Sequence, residues 1–250
     1  MDLLTQFLPA ALSPTVALIL LATSMAGSFI TISFGIGGGG LLLAVMATLL
    51  PPVALVPVHG VVQFGSNAGR TAMMARHIQW WAMGWFVAGI VTGIVVGAFV
   101  VIDIPPAVVQ IGVGLFLIWT IFARTPAWMR RWPFVTGTLT SVLSMFFGAS
   151  GPFVATYVKS LNLGRHQHVG TMAALLSLQH LLKTVAFGVL GFAYAAWAPF
   201  IAAMILAGLV GTWIGKTVLN KMTDARFKTA LDVILFLIAA RLVWAGLTTL

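Results

Sequence analysis

His59, Gln63, Ser66, Asn67 and Arg70 fall at i, i+4, i+7, i+8 and i+11 of a largely apolar run, which is one face of a helix. A second set, Gln179, His180, Lys183 and Thr184, stands in a comparable run, with Met172 and Leu176 where the first set has His59 and Gln63. Polar and cationic groups in such surroundings are costly and face a cavity or each other. Imidazole, amide, guanidinium and ammonium groups are the tools for holding negative charge, and no acid stands between Asp2 and Asp103. For Arg70, about one turn from its helix end, the competing reading is a side chain that snorkels to the surface. Lys183 lies deeper, which favours the cavity.

Two glycine clusters accompany these helices. "FGIGGGGLL", Phe34 to Leu42, sets four consecutive glycines in an apolar stretch, and "FFGASGP", Phe146 to Pro152, is a looser counterpart. Gly35-x-Gly37-x-x-Gly40 has the spacing of a dinucleotide fingerprint, yet the acid that would hold a ribose about 20 residues on is missing. No Gly-Lys-Ser/Thr follows, so a phosphate loop is excluded too. Irregular backbone in an apolar setting survives where protein or a wet cavity satisfies it. Helix fragments starting near Gly38 and Gly151 would aim unpaired N–H groups at one point, an anion site made of backbone. On this reading Gly37, Gly38, Gly39, Ser150 and Gly151 join the side chains above, with Gly38 leaving room for ligand against the main chain. The competing reading is that these glycines serve close packing.

The elements that must position these groups are membrane helices. Hydrophobic residues make up 60 % of the 250 and charged residues 7 %, with mean hydropathy +1.08. Such a chain cannot coat a soluble globule with polar surface. The fold class expected is an all-α polytopic membrane protein, one transport domain over 1–250. The absence of a basic residue before the first apolar run argues for a retained N-terminal segment. The chain has no cysteine, which removes disulfides, thiol relays and thiolate metal sites. Ser150 has no accompanying base and acid, so no catalysis, metal or cofactor is expected.

Self-comparison gives two copies of one unit. Phe34-Gly35-x-x-Gly38 aligns with Phe147-Gly148-x-x-Gly151, Arg70-Thr71 with Lys183-Thr184, and Gly93 and Gly97 with Gly211 and Gly215. The repeats run about 15–124 and 133–249. Spans are expected at 53–75, 79–101, 105–123, 168–190, 197–218 and 227–248. The stretches 15–50 and 134–160 are each broken near the middle, as a span plus a fragment or as two half-helices. The basic loops at Arg76-His77, Arg124–Arg131, Lys159–His168 and Lys216–Lys228 belong on the cytoplasmic side. That assignment makes 134–160 a re-entrant hairpin and, by repetition, 15–50 another from the opposite face, so the repeats are inverted. A parallel four-plus-four arrangement is the alternative. Gly89, Gly93 and Gly97, matched by Ala207, Gly211 and Gly215, read as close-packing faces. Asp232 reads as a local partner of Lys228, and His166 and His168 as loop residues.

"GSFITISFGIGGGGLLLAVMATLLPPVALVPVHG", with Gln63 to Arg70 after it, resembles the first conserved region of the sulfite exporter TauE/SafE family of membrane permeases. "FFGASGP" with Lys183 resembles the second, although Ala149, Ser150 and Pro152 make that copy degenerate. The resemblance implies a multi-pass protein of the bacterial inner membrane that moves small sulfur-containing anions such as sulfite or organosulfonates. The expected partners are a small anionic substrate and the lipid bilayer, possible homodimerisation included and nucleic acid excluded. An anion channel, or a carrier of another organic anion such as a carboxylate, is the alternative.

Overall fold

The computed structural model describes residues 8, 9, 12–99, 111, 115, 118, 127–148 and 151–248, and among them every regular element is helical. The elements are α1 (Pro14–Phe34), α2 (Gly38–Leu49), α3 (Pro52–Met73), α4 (Gly84–Phe99), α5 (Ala127–Arg131), α6 (Pro133–Phe147), α7 (Gly151–Ser160), α8 (Arg165–Val189), α9 (Ala198–Lys221) and α10 (Asp224–Thr248). Proline opens several of them, because its missing N–H is no loss in the first turn. α1 starts behind Ser13, whose hydroxyl accepts the Val16 N–H at 3.3 Å. It ends at Gly35 (φ 83°), whose N–H donates to the Thr31 carbonyl, and α6 ends the same way at Gly148 (φ 70°), donating to Ser144. Both C-caps are left-handed, the conformation that glycine adopts without steric cost.

The directions of packed helices follow from their contacts. α1 and α9 run parallel, with the Ser24 hydroxyl donating to the Met204 carbonyl at 2.8 Å and that of Ser33 to Gly215 at 3.2 Å. α4 and α6 also run parallel, since a Cβ on Gly89 would strike the Phe134 carbonyl and one on Gly93 that of Thr138. Gly211 meets the Met25 carbonyl in the same manner. These glycines are the close-packing faces that the spacing indicates, where backbones approach directly as membrane helices do. α3 and α8 are antiparallel: Gly60 lies beside Lys183, Thr71 beside Ser177 at 3.0 Å, and the Gln79 N–H donates to Thr171 Oγ1 at 2.9 Å.

Two apolar clusters mark the ends of this pair. Leu12, Leu50, Ala54, Trp197 and Phe200 pack at one end, and Met74, Ile78, Met83, Met129, Tyr157, Val158 and Phe227 at the other. The α1–α2 segment therefore enters and leaves at one end of α3, and α6–α7 enters and leaves at the opposite end. Among the described residues α1, α8 and the stretch Tyr194–Lys221 are long and apolar enough to cross a membrane. α3 is as long, but its polar face lowers its hydropathy.

Several expected boundaries move. The break expected in 15–50 falls at residues 35–37, inside the glycine cluster, and divides the stretch unequally into 21 and 12 helical residues, because Gly35 caps α1. The span expected at 79–101 begins only at Gly84, since residues 75–83 form two short 3₁₀ turns tied to α8 through Gln79. Of the span expected at 105–123, only residues 111, 115 and 118 are described, and they are helical. Asp232 pairs with Lys159, joining α10 to the end of α7, while the side chain of Lys228, its expected partner, lies outside what is described. His166 and His168 lie in the first turn of α8, and His168 is buried with its ring edge-on to Phe227.

The basic loops gather at one end. The His77 and His166 rings are 5.2 Å apart, Lys216 Nζ donates to the Met73 carbonyl at 3.4 Å, and Arg165 donates to Asp224 at 2.8 Å. Partial burial, then the charges of His166, Lys216 and Arg76, hold the His77 imidazole below its ordinary value. Hydrogen bonds from Arg165 hold Asp224 below the usual carboxylate range.

Candidate functional site

Halfway along α3 and α8, both broken segments meet at a cavity. Its walls include Gly37, Gly39 and Gly40 from the first break and Gly148, Gly151 and Pro152 from the second. His59, Gln63 and Asn67 of α3 and Met172, Leu176 and His180 of α8 supply the rest, with Thr31 and Ile36 of the α1 end. About 30 Å³ is open to the centres of water molecules, room for about two of them or one compact ion.

The first break supplies donors. Gly37 (φ 113°) precedes α2, and the Gly38 N–H is taken by Thr31 Oγ1 at 3.1 Å. Leu41 donates to the Gly37 carbonyl at 3.0 Å, whereas the N–H groups of Gly39 and Gly40 have no partner among the described residues. They are the orphan donors of a helix start, and both residues line the cavity. A Cβ on Gly40 or on Gly151 would meet nothing within 4 Å, so each leaves open space there.

A chain of hydrogen bonds aims the α3 amides. Buried Arg70 donates from Nη1 to Asn67 Oδ1 at 2.7 Å, which turns Asn67 Nδ2 onto the Gln63 carbonyl at 2.8 Å and Gln63 Oε1 at 3.3 Å. With its oxygen engaged, Gln63 is left to present its Nε2 donors beside Gly39. Arg70 does not snorkel; it is 2 % exposed and acts on the cavity through Asn67. His59 Nε2 lies 3.1 Å from the Gly39 carbonyl, and the Nδ1 atoms of His59 and His180 are buried without a partner.

Three sequence-derived candidates sit elsewhere. Gly38 packs on α1, where a side chain would strike the Gly27 carbonyl rather than a ligand. Gln179 donates to Ser141 Oγ at 2.8 Å, away from the cavity lining. Lys183 is fully buried, and its ammonium donates to the Gly148 carbonyl at 3.2 Å and Ser144 Oγ at 3.3 Å. It thus caps the C-terminal, electronegative end of α6. Ser150 lies outside the described residues. Sequence reading did not list Thr31, Ile36, Gly40, Gly148, Pro152, Met172 and Leu176 as site residues. The signals for most were present: Gly40 continues the glycine run, Gly148 matches Gly35, and Met172 and Leu176 align with His59 and Gln63.

The arrangement can hold a small anion. Gly39, Gly40 and Gln63, which carry donors, line the cavity, Arg70 and Lys183 are buried on the same two helices, and no carboxylate lines the cavity among the described residues. A sequence model of the sulfite exporter TauE/SafE family matches residues 18–242. No curated protein and no solved structure matches.

Proposed function

Because the chain belongs to the sulfite exporter TauE/SafE family, we propose that it is a secondary transporter for one small sulfur-containing anion, such as sulfite or an organosulfonate. The family is one of membrane permeases, and the apolar helices are those of a multi-pass membrane protein. The observation that carries the reading is the cavity itself, built where two helix breaks from opposite ends meet and lined by Gly39 and Gly40, whose N–H groups have no partner among the described residues. Charge-assisted hydrogen bonds of this kind contribute roughly 1.5–3 kcal/mol each. His59, Gln63, Asn67 and Gly151 complete the substrate site in this account, and the small open volume favours a compact oxyanion head.

The transport step is alternating access around that site, in which two inverted repeats, about 15–124 and 133–249, exchange packing. The pairings support it: α1 with α9 and α6 with α4 are both parallel, while α3 and α8 cross antiparallel between them. The end that gathers the basic loops faces the cytoplasm of the bacterial inner membrane. Counterflow tests the proposal. Liposomes holding the purified protein and loaded with unlabelled sulfite should accumulate labelled sulfite transiently and saturably. Flux without counterflow would make the protein a channel, and no sulfite or sulfonate flux would refute the reading.

A further inference from the structure

We propose that His59 and His180 form a proton-carrying pair, so that one proton enters the cavity with each anion. This rests on the cavity being the anion site. The Gly39 carbonyl can only accept, so His59, whose Nε2 lies 3.1 Å from it, holds hydrogen on Nε2 and presents a lone pair at Nδ1. That Nδ1 is buried and unpartnered, and so is the Nδ1 of His180; the residues are 2 % and 3 % exposed and both line the cavity. The His59 lone pair beside the oxygens of an anion repels it. The contact becomes attractive once a proton lies between an imidazole Nδ1 and an anion oxygen.

The cavity holds one such proton. The two rings are 6.0 Å apart and edge-on, so charging both would set like charges together in a dry site. The other charged group acting on both rings is Lys183, one turn beyond His180 on α8, while Arg70 lies further along α3 and is bonded to Asn67. α2 offers only backbone there, the second break offers Gly148, Gly151 and Pro152, and the remaining α8 wall is Met172 and Leu176. Lys183 opposes a proton in the empty cavity, and an anion cancels that opposition. Proton uptake therefore follows anion binding, and by reciprocity the proton raises anion affinity. The proton comes from the aqueous phase on the side of entry and leaves Nδ1 with the anion at the other side.

The heat of methanesulfonate binding to the whole purified protein, measured in buffers of different ionisation enthalpy, counts the protons taken up. This probe stays ionised, so any proton goes to the protein. The expected result is about one proton per anion and affinity rising about tenfold per pH unit of acidification while the rings are neutral. His59→Gln keeps a donor for the Gly39 carbonyl but has no site to protonate. It should bind more weakly and lose the uptake and pH slope, whereas His166→Gln at the basic end should keep both. Methanesulfonate binding without proton uptake overturns the pair and leaves the anion site standing. So does undiminished uptake in His59→Gln, His180→Gln and the double variant. If neither methanesulfonate nor sulfite binds, the anion site falls, and the proton pair with it.

Discussion

The two broken segments share one plan and divide its duties. In each, a helix ends on a left-handed glycine, Gly35 or Gly148, and a short helix turns back from a second glycine, Gly38 or Gly151. Beyond that they differ. α2 opens with three glycines, of which the second and third line the cavity with N–H groups that have no partner among the described residues, and His59 is tied to the Gly39 carbonyl. α7 has Pro152 in its second position, which removes a donor. What α6–α7 has instead is Lys183, which clamps the Gly148 carbonyl, while Gly35 is closed in by the rings of Phe227 and His168. The comparison teaches that a duplicated break need not be a duplicated site. In the proposed site the first break presents backbone to the ligand, while the second is braced by a side chain.

The most damaging substitution should be Gly38→Ala. Its methyl group would meet the Gly27 carbonyl, a backbone atom with no rotamer to escape into. The cost should reach or exceed the top of the roughly 1–3 kcal/mol range for overpacking, read as lost folded yield in detergent. Gly151→Ala, at the matching position of the second break, opens onto space and should fold normally. Equal tolerance of both would dissolve the contrast.

Lys183→Met comes next. It leaves the Gly148 carbonyl and the Ser144 hydroxyl without their charged partner, a loss of roughly 1.5–3 kcal/mol that a melting temperature will report. An unchanged melting temperature with weakened sulfite binding would instead assign the ammonium to the ligand. Arg70→Met should do less to stability and more to binding. Without Nη1 on Asn67 the Gln63 amide is no longer oriented, and affinity should fall by about 1 kcal/mol, or roughly fivefold.

The smallest effect is a pH slope at the basic end. His77 is held below 6.5 in the folded chain, so the folded state binds fewer protons there than the unfolded state. Stability is unaffected above that value and falls as pH drops below it. His77→Gln should flatten this slope in melts between about pH 7 and 5, a window set by the ordinary imidazole value. An unaltered slope would remove His77 as its source.

Much of this was legible in the sequence. The polar face of α3 runs from His59 to Arg70 at helical spacing, and His59, Gln63 and Asn67 of that face line the cavity; it stands out because few polar residues interrupt that run. The glycine clusters marked both breaks for the same reason. Which glycine does what was not legible. Gly38, Gly39 and Gly40 are identical in type, and only the crossing of α2 over Gly27 separates the packing residue from the two donors. Lys183 was hidden similarly, since a buried ammonium near an anion site and one capping a helix end leave the same mark in the chain. The partner of Asp232 required tertiary structure, as Lys159 lies far away in sequence.

The central claim is that the ligand sits against the backbone at the start of α2, and sulfite binding to Gly40→Val tests it most directly. A side chain at Gly40 enters open space in the cavity wall without touching a protein atom at its Cβ. Titration calorimetry beside a melting curve, on wild type and variant, separates the two effects. The account predicts a variant that melts like wild type and binds sulfite at least about tenfold more weakly, which is about 1.4 kcal/mol. A Gly40→Val protein that binds sulfite as tightly as wild type would contradict it.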